Sequence, residues 1–447
     1  MEDLPQKKYE LDKNNVLGKG SFGIVYKGKH YNKYGEPEEV AFKKIPKDIL
    51  NDNAKLQSLS NEIYISSKIQ NKDIEKNDKN IIKNLENGNK ENKENKDLEK
   101  EKREKEEKEK REKEEKEKRE KEEKDKKDSQ NEEKEENKKN NELENIVKFY
   151  DIIDIDNDKY LVYEFCNGGD LKRYLRYFRR FDEKMIQNIM TQIIKGLKIL
   201  HDQKIVHHDI KPENILVELC PKEEDKEKRQ NIINTIMKIT DPKNKYLNKE
   251  QKLMKDEEIL EVLSNSKMKL SDFGLSKLKE DSNTKEVSGS PLYIDPNLFK
   301  KEASEETIEN EKVDIWALGI IAYELFFYEL PFQPFPPSIE RLKKAFEQGE
   351  YIIDFKKCKQ ISKQFLSFLN CCLQKEQKIR PPINDLLFIH EFIVRDPDKF
   401  TYMDIDNYKE SKYPEGNYLK TEGKLTMNIN DNRNINSYFD WAENVRP

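Results

Sequence analysis

Cysteine is scarce in this sequence, and no hydrophobic run is long enough to span a membrane. The five cysteines form no C-x-x-C pair and are odd in number, so we expect reduced thiols rather than a disulfide framework. Such thiols are typical of the cytoplasm or the nucleus. The longest apolar stretch, Val313 to Phe327, contains two acidic residues. It is too short and too charged to span a bilayer, so we expect no membrane span.

An excess of either charge is also missing. Lys and Arg together number 85, and Asp and Glu together number 90. This near balance argues against a protein dedicated to nucleic acids or to anionic membranes. Charged residues make up 39% of the chain and hydrophobic ones 34%. Part of the chain therefore has too little apolar surface to form a packed core.

Two polar interruptions account for that composition. The first, from about 70 to 141, is rich in Asn, Lys and Glu, and within it residues 99–122 repeat the eight letters EKEKREKE three times. Pairs of Glu with Lys or Arg four residues ahead favour an isolated helix by about 0.2–0.5 kcal/mol each. A solvated helical spacer of about 36 Å and disordered filler both fit this repeat. The second interruption runs from about 220 to 267.

The rest of the chain is one domain of ordinary size. Residues 9–393 without the two interruptions amount to roughly 265. Residues 9–46 alternate apolar residues with turn signals, which is typical of a small antiparallel sheet, and a helical period follows at 54–69. From residue 313 onward the pattern is mainly helical. Residues 1–8 and 394–447 read as polar tails.

A glycine-rich segment punctuates the first strands. Residues 18–25, GKGSFGIV, fit the pattern G-x-G-x-x-G-x-V, and glycines let the backbone approach a phosphate closely. Dinucleotide-binding folds use a similar motif, but there the last glycine opens a helix. Here a strand-like run follows Gly23. The segment favours a flap over a nucleotide, with a plain hairpin turn as the alternative.

Three chemically useful residues lie close together in the ten residues 207–216, HHDIKPENIL. Asp209 can accept a hydroxyl proton, Lys211 can steady a phosphate, and Asn214 can hold a metal. This run resembles the catalytic loop of protein kinases, H-R-D-L-x-x-x-N. Other segments resemble further kinase motifs in the expected order: VAFK at 40–43, YEFC at 163–166, DFG at 272–274 and DIWALG at 314–319.

The sequence as a whole therefore resembles a eukaryotic-type serine/threonine protein kinase. Residues 288–297, SGSPLYIDPN, resemble the end of the activation segment in autophagy-initiating kinases. The resemblance implies an α+β, two-lobed kinase fold with two long polar insertions. The upper lobe and hinge would occupy 9–165 and the lower lobe 166–393.

The resemblance implies a role for each matching residue. Backbone groups of Glu164 and Cys166 would bind adenine, and Tyr163 would guard the rear of its pocket. The remaining nucleotide-binding residues would be Gly18, Gly20, Gly23, Val25, Ala41, Lys43, Glu62 and Leu216.

The same resemblance implies transfer of the ATP γ-phosphoryl group to Ser or Thr with Mg²⁺. Asp209 and Lys211 would be catalytic. Asn214 and Asp272 would hold the metal. His207 is expected to be a packed structural residue.

Three departures from the kinase pattern keep a second interpretation open, a pseudokinase scaffold that binds partners without efficient catalysis. His208 stands where the catalytic loop has Arg, which weakens the pocket for an activating phosphate. Ser66 replaces a large apolar residue that packs its helix. Asn297 replaces a Glu that would pair with Arg380, so we expect a buried anchor of the lower lobe to lose its charge assistance.

The sequence does not name the protein substrate. Asp170, Glu213 and Glu324 stand where some kinases read basic residues around the target, although solvated surface acids are the alternative. A partner could also bind the charged repeat 99–122 or the C-terminal tail.

Overall fold

The structure, a computed structural model, describes residues 8–20, 23–32, 35–46, 52–70, 143–156, 158–242, 254–278, 290–299, 311–333, 339–348, 352–353 and 360–403. The charged repeat 99–122 and its predicted helix lie outside the described residues, as do most of the N-terminal tail and the C-terminal tail from 404. The described residues form a sheet-rich upper lobe and a mainly helical lower lobe, as the resemblance implied.

The upper lobe is a five-stranded antiparallel sheet with one helix. Its strands have the order β1-β2-β3-β5-β4. The elements are β1 (Tyr9–Gly20), β2 (Gly23–Tyr31), β3 (Pro37–Lys44), α1 (Asn53–Ile69), β4 (Phe149–Ile155) and β5 (Asp158–Glu164). Leu59 and Ile63 of α1 pack on Phe149 and Leu161 of the sheet. Because side chains alternate along a strand, the opposite face carries a second apolar cluster.

The lower lobe holds most of the remaining elements. They are α2 (Leu171–Phe178), α3 (Glu183–Asp202), β6 (Ile205–Val206), β7 (Ile215–Glu218), α4 (Lys226–Ile239), α5 (Asp256–Ser264), β8 (Lys267–Leu270), β9 (Lys277–Leu278), α6 (Glu311–Phe327), β10 (Phe332–Gln333), α7 (Ile339–Gln348), β11 (Ile352–Ile353), β12 (Ile361–Ser362), α8 (Lys363–Cys372), α9 (Ile383–Phe388), α10 (Glu391–Val394) and β13 (Tyr402–Met403).

Helix α6 runs through the centre of this lobe. Its residues from Val313 to Leu325 are all buried, as expected of a helix that is apolar on every side. Gly319 permits a close approach to α8, because a Cβ atom there would lie 2.8 Å from the Cys372 Cβ. Within the described segments, no helix combines the length and the apolar character needed to cross a membrane.

The second polar interruption contains two helices that the sequence analysis did not identify. Ile233, Ile236 and Ile239 of α4 join the main core of the lower lobe, and so do Ile259 and Leu263 of α5. These apolar residues recur at helical spacing, but the surrounding Lys, Glu and Asn hide the pattern. Part of the interruption is therefore an addition to the lower lobe rather than a polar surface loop.

The lower lobe also extends beyond residue 393, where the tail was expected to begin. Phe400 is buried against the core, and β13 pairs with β12 in an antiparallel ladder. A single buried aromatic residue and a two-residue strand give little periodic signal, so the sequence analysis did not identify them. Within the described chain, folded structure reaches Met403.

Candidate active site

A cleft of about 270 Å³ lies between the two lobes. Most of the predicted nucleotide-binding and metal-binding residues line it. The lining includes Gly23, Val25, Ala41, Lys43, Glu62, Tyr163, Glu164, Asn214, Leu216, Asp272 and Phe273. Gly18, Gly20 and Cys166 do not line this space. A larger cavity of about 470 Å³ lies between α4 and α5, but its lining lacks the residues that the kinase motifs predict.

The glycine-rich segment spans the end of β1 and the start of β2. Gly20 pairs with Gly23 at the end of the hairpin, and Gly23 has a φ of +129°. A Cβ atom on Gly23 would clash with the Lys44 carbonyl oxygen. Glycine is therefore required at this position.

At the rear of the cleft, Lys43 and Glu62 form a buried ion pair. The Lys43 Nζ lies 2.6 and 2.7 Å from the two carboxylate oxygens of Glu62 and 3.6 Å from Asp272 Oδ1. Burial alone would lower the pKa of Lys43, but the charges of Glu62 and Asp272 raise it. Lys43 is therefore a fixed positive charge at the position that the motif predicted.

The hinge residue Glu164 connects the lobes through its side chain. Its Oε1 lies 2.6 Å from the Nζ of Lys269 in β8, and Lys269 also meets Glu218 at 3.2 Å. Cys166 is buried two residues farther along, and burial raises the pKa of its thiol. The Cys166 side chain is therefore a packed thiol.

The catalytic-loop residues converge on the carboxylate of Asp209. Lys211 Nζ lies 2.6 Å from Asp209 Oδ2 and 2.7 Å from Ser290 Oγ. The Ser290 amide donates to Asp209 Oδ1 at 2.9 Å, and the Asn214 amide nitrogen donates to Oδ2 at 2.9 Å. Burial would raise the pKa of Asp209, but Lys211 holds it below its usual value. Asp209 is therefore an ionised acceptor in an aligned network.

Two oxygen donors beside this network fit a hard cation. Asp272 Oδ1 is buried and accepts no hydrogen bond. The Asn214 nitrogen donates twice to Asp209, which leaves the amide oxygen as the atom that can face an ion. Carboxylate and amide oxygens are suitable ligands for Mg²⁺.

Asp314, at the start of α6, fixes the backbone of the catalytic loop. Its carboxylate accepts from the amides of His207 and His208, each at 2.9 Å, and contacts His201 Nε2 at 3.0 Å. His207 is fully buried, with its ring 5.4 Å from the Phe273 ring. The expectation that His207 is a packed structural residue agrees with this position.

The expected loss of charge at the lower-lobe anchor is wrong. Arg380 is buried and forms a bidentate contact with Asp295, through Nη1 to Oδ2 and through Nη2 to Oδ1 at 3.1 Å. Burial would raise the pKa of Asp295, but Arg380 lowers it. The carboxylate comes from residue 295, two residues before the position that the kinase pattern predicts. The Asn297 side chain donates a 2.8 Å hydrogen bond to its Oδ1.

His208 lies in a different environment. Burial lowers the pKa of its imidazole to about 4, and Lys277 and His207 also lower it, although Asp314 opposes the shift. Its Nε2 is buried without a hydrogen-bond partner, and its φ is +66°. His208 is therefore neutral at physiological pH, and it offers no permanent charge to a phosphate.

Glu324 is neither a solvated surface acid nor a residue that can contact basic residues of a substrate. Glu324 is fully buried and contacts Lys172 Nζ at 2.7 Å and the Tyr293 hydroxyl at 2.7 Å. Asp170 caps α2 by accepting from the Arg173 amide at 2.9 Å. Glu213 lines the cleft.

Two contacts of the site were not anticipated. The sequence analysis gave Ser290 no role, although its position after Gly289 in the motif SGSPLY could have pointed to it. Tyr163 lines the cleft, and its 2.8 Å hydrogen bond to Glu62 was not foreseen, because nothing in the sequence fixes where the hydroxyl points.

Comparisons with known proteins agree with this architecture. Residues 98–389 match the family model described as protein tyrosine and serine/threonine kinase. The matched range is more than half of the chain, and the chain belongs to this family. The match begins inside the first interruption and does not include Lys43 or the glycine-rich segment. The positions of these residues in the cleft are therefore known from the fold and not from the family model.

Several curated serine/threonine kinases are similar to this chain. Human serine/threonine-protein kinase ULK1 is 27% identical over 255 residues, which is 57% of this chain and 20% of the relative. Calcium-dependent protein kinase 6 of Plasmodium berghei (strain Anka) is 31% identical over 239 residues, 53% of this chain and 13% of the relative. Drosophila melanogaster ovarian-specific serine/threonine-protein kinase Lok is 28% identical over 245 residues, 54% and 41% respectively. The chain thus spans less than half the length of each relative.

Proposed function

We propose that this protein is an active serine/threonine kinase that transfers the γ-phosphoryl group of ATP to protein hydroxyls in the presence of Mg²⁺. The convergence of Lys211, Asn214 and Ser290 on the Asp209 carboxylate supports this proposal most strongly. Phosphoryl transfer depends mainly on positioning and on neutralising charge. This network supplies an ionised acceptor and a cation within one hydrogen-bonded group.

The residues on the two walls of the cleft have complementary tasks. Asp209 would orient the substrate hydroxyl and accept its proton, and Lys211 would steady the γ-phosphate. On the opposite wall, Lys43 would bind the α- and β-phosphates while Glu62 holds its ammonium in place. Asp272 and Asn214 would hold Mg²⁺, which neutralises charge on the phosphates when bound.

The adenine ring has a suitable position between the lobes. Val25, Ala41 and Leu216 line the cleft and offer apolar surface to both faces of a flat ring. Backbone groups of Glu164 and Cys166 would supply its hydrogen bonds. Tyr163 closes the rear of the same space.

The scaffold interpretation has less support than it had from sequence alone. The charge expected to be missing at residue 297 is supplied by Asp295. The Lys43–Glu62 pair is formed although Ser66 is small. Every residue expected to meet phosphate, metal or hydroxyl is present.

A single comparison tests the proposal. Wild-type protein and Asp209→Asn are incubated with Mg²⁺, ATP and a generic protein substrate, and phosphate incorporation into Ser and Thr is measured. We expect Asp209→Asn to lose activity by orders of magnitude. Asp202→Asn is the matched control, because Asp202 pairs with Lys198 on the surface of α3 and should retain activity. Equal background incorporation by wild type and Asp209→Asn would rule out the proposed activity.

A further inference from the structure

Tyr163 contacts helix α1 in two ways from the rear of the cleft. Its ring packs with the cluster that contains Leu59 and Ile63 of α1 and lies 5.3 Å from the Phe149 ring. Its hydroxyl donates a hydrogen bond of 2.8 Å to Glu62 Oε1. One side chain of β5 thus combines an apolar contact and a polar contact to the helix.

Glu62 depends on a small number of donors. The residue is 3% exposed, so water cannot replace a lost partner. Lys43 contacts both of its oxygens, and Tyr163 donates to one of them. Burial and the charge of Glu62 raise the pKa of Tyr163 well above its usual value, so the phenol keeps the proton that it donates.

Ser66 lies one turn beyond Glu62 and explains how Tyr163 fits. It is 2% exposed, and its Oγ is buried without a hydrogen-bond partner. Its hydroxyl is near enough to Tyr163 to lower the pKa of that phenol, although burial and Glu62 outweigh it. Ser66 stands where the kinase pattern has a large apolar residue that packs this helix. In the structure, Tyr163 is a large side chain near this small one, and it packs with the α1 cluster and donates to Glu62.

We propose that Tyr163 is a positioning residue for phosphoryl transfer, with Ser66 as its complement in size. Its hydroxyl holds Glu62, and through Glu62 it holds Lys43, in the geometry that the nucleotide needs. The inference rests on the proposed kinase function. Ser58 fastens α1 separately, through a 2.9 Å hydrogen bond to the Gly274 carbonyl. Removing the Tyr163 hydroxyl should therefore loosen the helix without detaching it.

The first test is Tyr163→Phe in the full-length protein, which removes one oxygen atom and keeps the ring. A hydrogen bond to a buried charged group is lost, so we expect kcat for a peptide substrate to fall about tenfold. The KM for ATP should change less than about threefold, and the melting temperature should fall by only a few degrees. Tyr31→Phe is the matched control, because it removes an exposed hydroxyl that donates to Glu10 at 2.7 Å. Equal kcat for wild type and Tyr163→Phe would overturn the inference.

A reciprocal change of size separates positioning from a general structural role. Ser66→Leu crowds Tyr163, and Tyr163→Met leaves Ser66 without its neighbour, so each should lower kcat. Combining them places a larger apolar residue on the helix and a slimmer one on the strand. We expect the double variant to exceed both single variants and to reach about the kcat of Tyr163→Phe, since it also lacks the hydroxyl that donates to Glu62. A double variant at or below the weaker single one would contradict the proposed complementarity.

A second readout does not require activity. Amide hydrogen exchange reports the local opening of α1, and Tyr163→Phe should speed exchange across residues 57–67 about tenfold while Tyr31→Phe does not. A wild-type protein without phosphoryl transfer would refute the proposed function, and the exchange comparison would still decide the inference. Unchanged exchange in Tyr163→Phe would overturn it.

Discussion

Asp295 and His208 mark two departures from the kinase pattern in the lower lobe, and their surroundings differ in one physical respect. Beside Asp295 lies a fully buried guanidinium, that of Arg380. Leaving such a charge unpaired costs several kcal/mol, and a carboxylate is present although it comes from an unexpected position. His208 is a neutral imidazole, so its presence leaves no buried charge to compensate.

The difference shows which departures a fold can accept without a second change. Arg380 must have a carboxylate in the folded state, whatever else happens in the cell. An arginine at position 208 would be needed only when a phosphate arrives on the activation segment, residues 275–297. A residue that completes a permanent buried ion pair is therefore constrained by stability. A residue that binds a phosphate added to another residue is constrained by regulation.

The largest expected effect comes from breaking the buried pair. Asp295→Ala leaves Arg380 uncompensated, so the free energy of unfolding should fall by about 3–5 kcal/mol in urea denaturation. Asp154→Ala is the control, because Asp154 forms an exposed pair with Lys159, and it should change stability by less than about 1 kcal/mol.

The position of the carboxylate can be moved back in the same background. Asp295→Ala combined with Asn297→Glu restores the arrangement that the kinase pattern predicts. We expect it to recover more than half of the lost stability. No recovery of stability would mean that a carboxylate at residue 297 cannot replace one at residue 295. That result would contradict the view that Arg380 needs only a nearby carboxylate.

A smaller effect should follow from pH. The pKa of His208 is about 4 in the folded protein and about 6.5 when unfolded. The unfolded chain therefore binds the proton more readily, and stability is lost as pH falls from about 6.5 to 4. The full contribution is roughly 3 kcal/mol. His208→Asn does not titrate, and asparagine tolerates the positive φ at this position.

Unfolding curves at several pH values measure this contribution. The stability difference between wild type and His208→Asn should shift by that amount across the window, with wild type losing more. A constant difference would show that His208 keeps a normal pKa and could carry charge near neutrality.

The smallest effect should be that of activation-segment phosphorylation. Neutral His208 binds a phosphate group only weakly. A Ser282/Thr284/Ser288 triple-Ala variant should therefore keep its activity within about tenfold of wild type, which corresponds to a rise in the activation free energy of under ~1.4 kcal/mol. His208→Arg should make activity depend on phosphorylation at these sites, since arginine offers a permanent bidentate group. Kinase assays before and after phosphatase treatment compare the two proteins. A large wild-type loss that rephosphorylation restores would contradict the assignment of His208.

The sequence was sufficient where chemistry depends on local spacing. Asp209, Lys211 and Asn214 lie within six residues, so their convergence follows from one loop. Lys43 and Glu62 are also brought together as their positions on a strand and the next helix suggested.

Contacts between distant segments could not be read in this way. Asp295 and Arg380 are 85 residues apart, and only the folded path of the chain decides whether residue 295 or 297 reaches the guanidinium. Helix α4 was missed for another reason. Its isoleucines have the right period, but a strongly polar background lowers their contrast.

The contact between Glu164 and Lys269 has a consequence for motion. The Glu164 backbone belongs to the upper-lobe sheet, where it pairs with Val40, while its carboxylate is held by Lys269 of the lower lobe at 2.6 Å. When the cleft opens to release nucleotide, the two lobes must rotate about a point that is bound to both of them. We expect the pivot to lie at Glu164 itself, ahead of the glycines at 168 and 169. Opening and closing about that point would leave the contact between Glu164 and Lys269 intact.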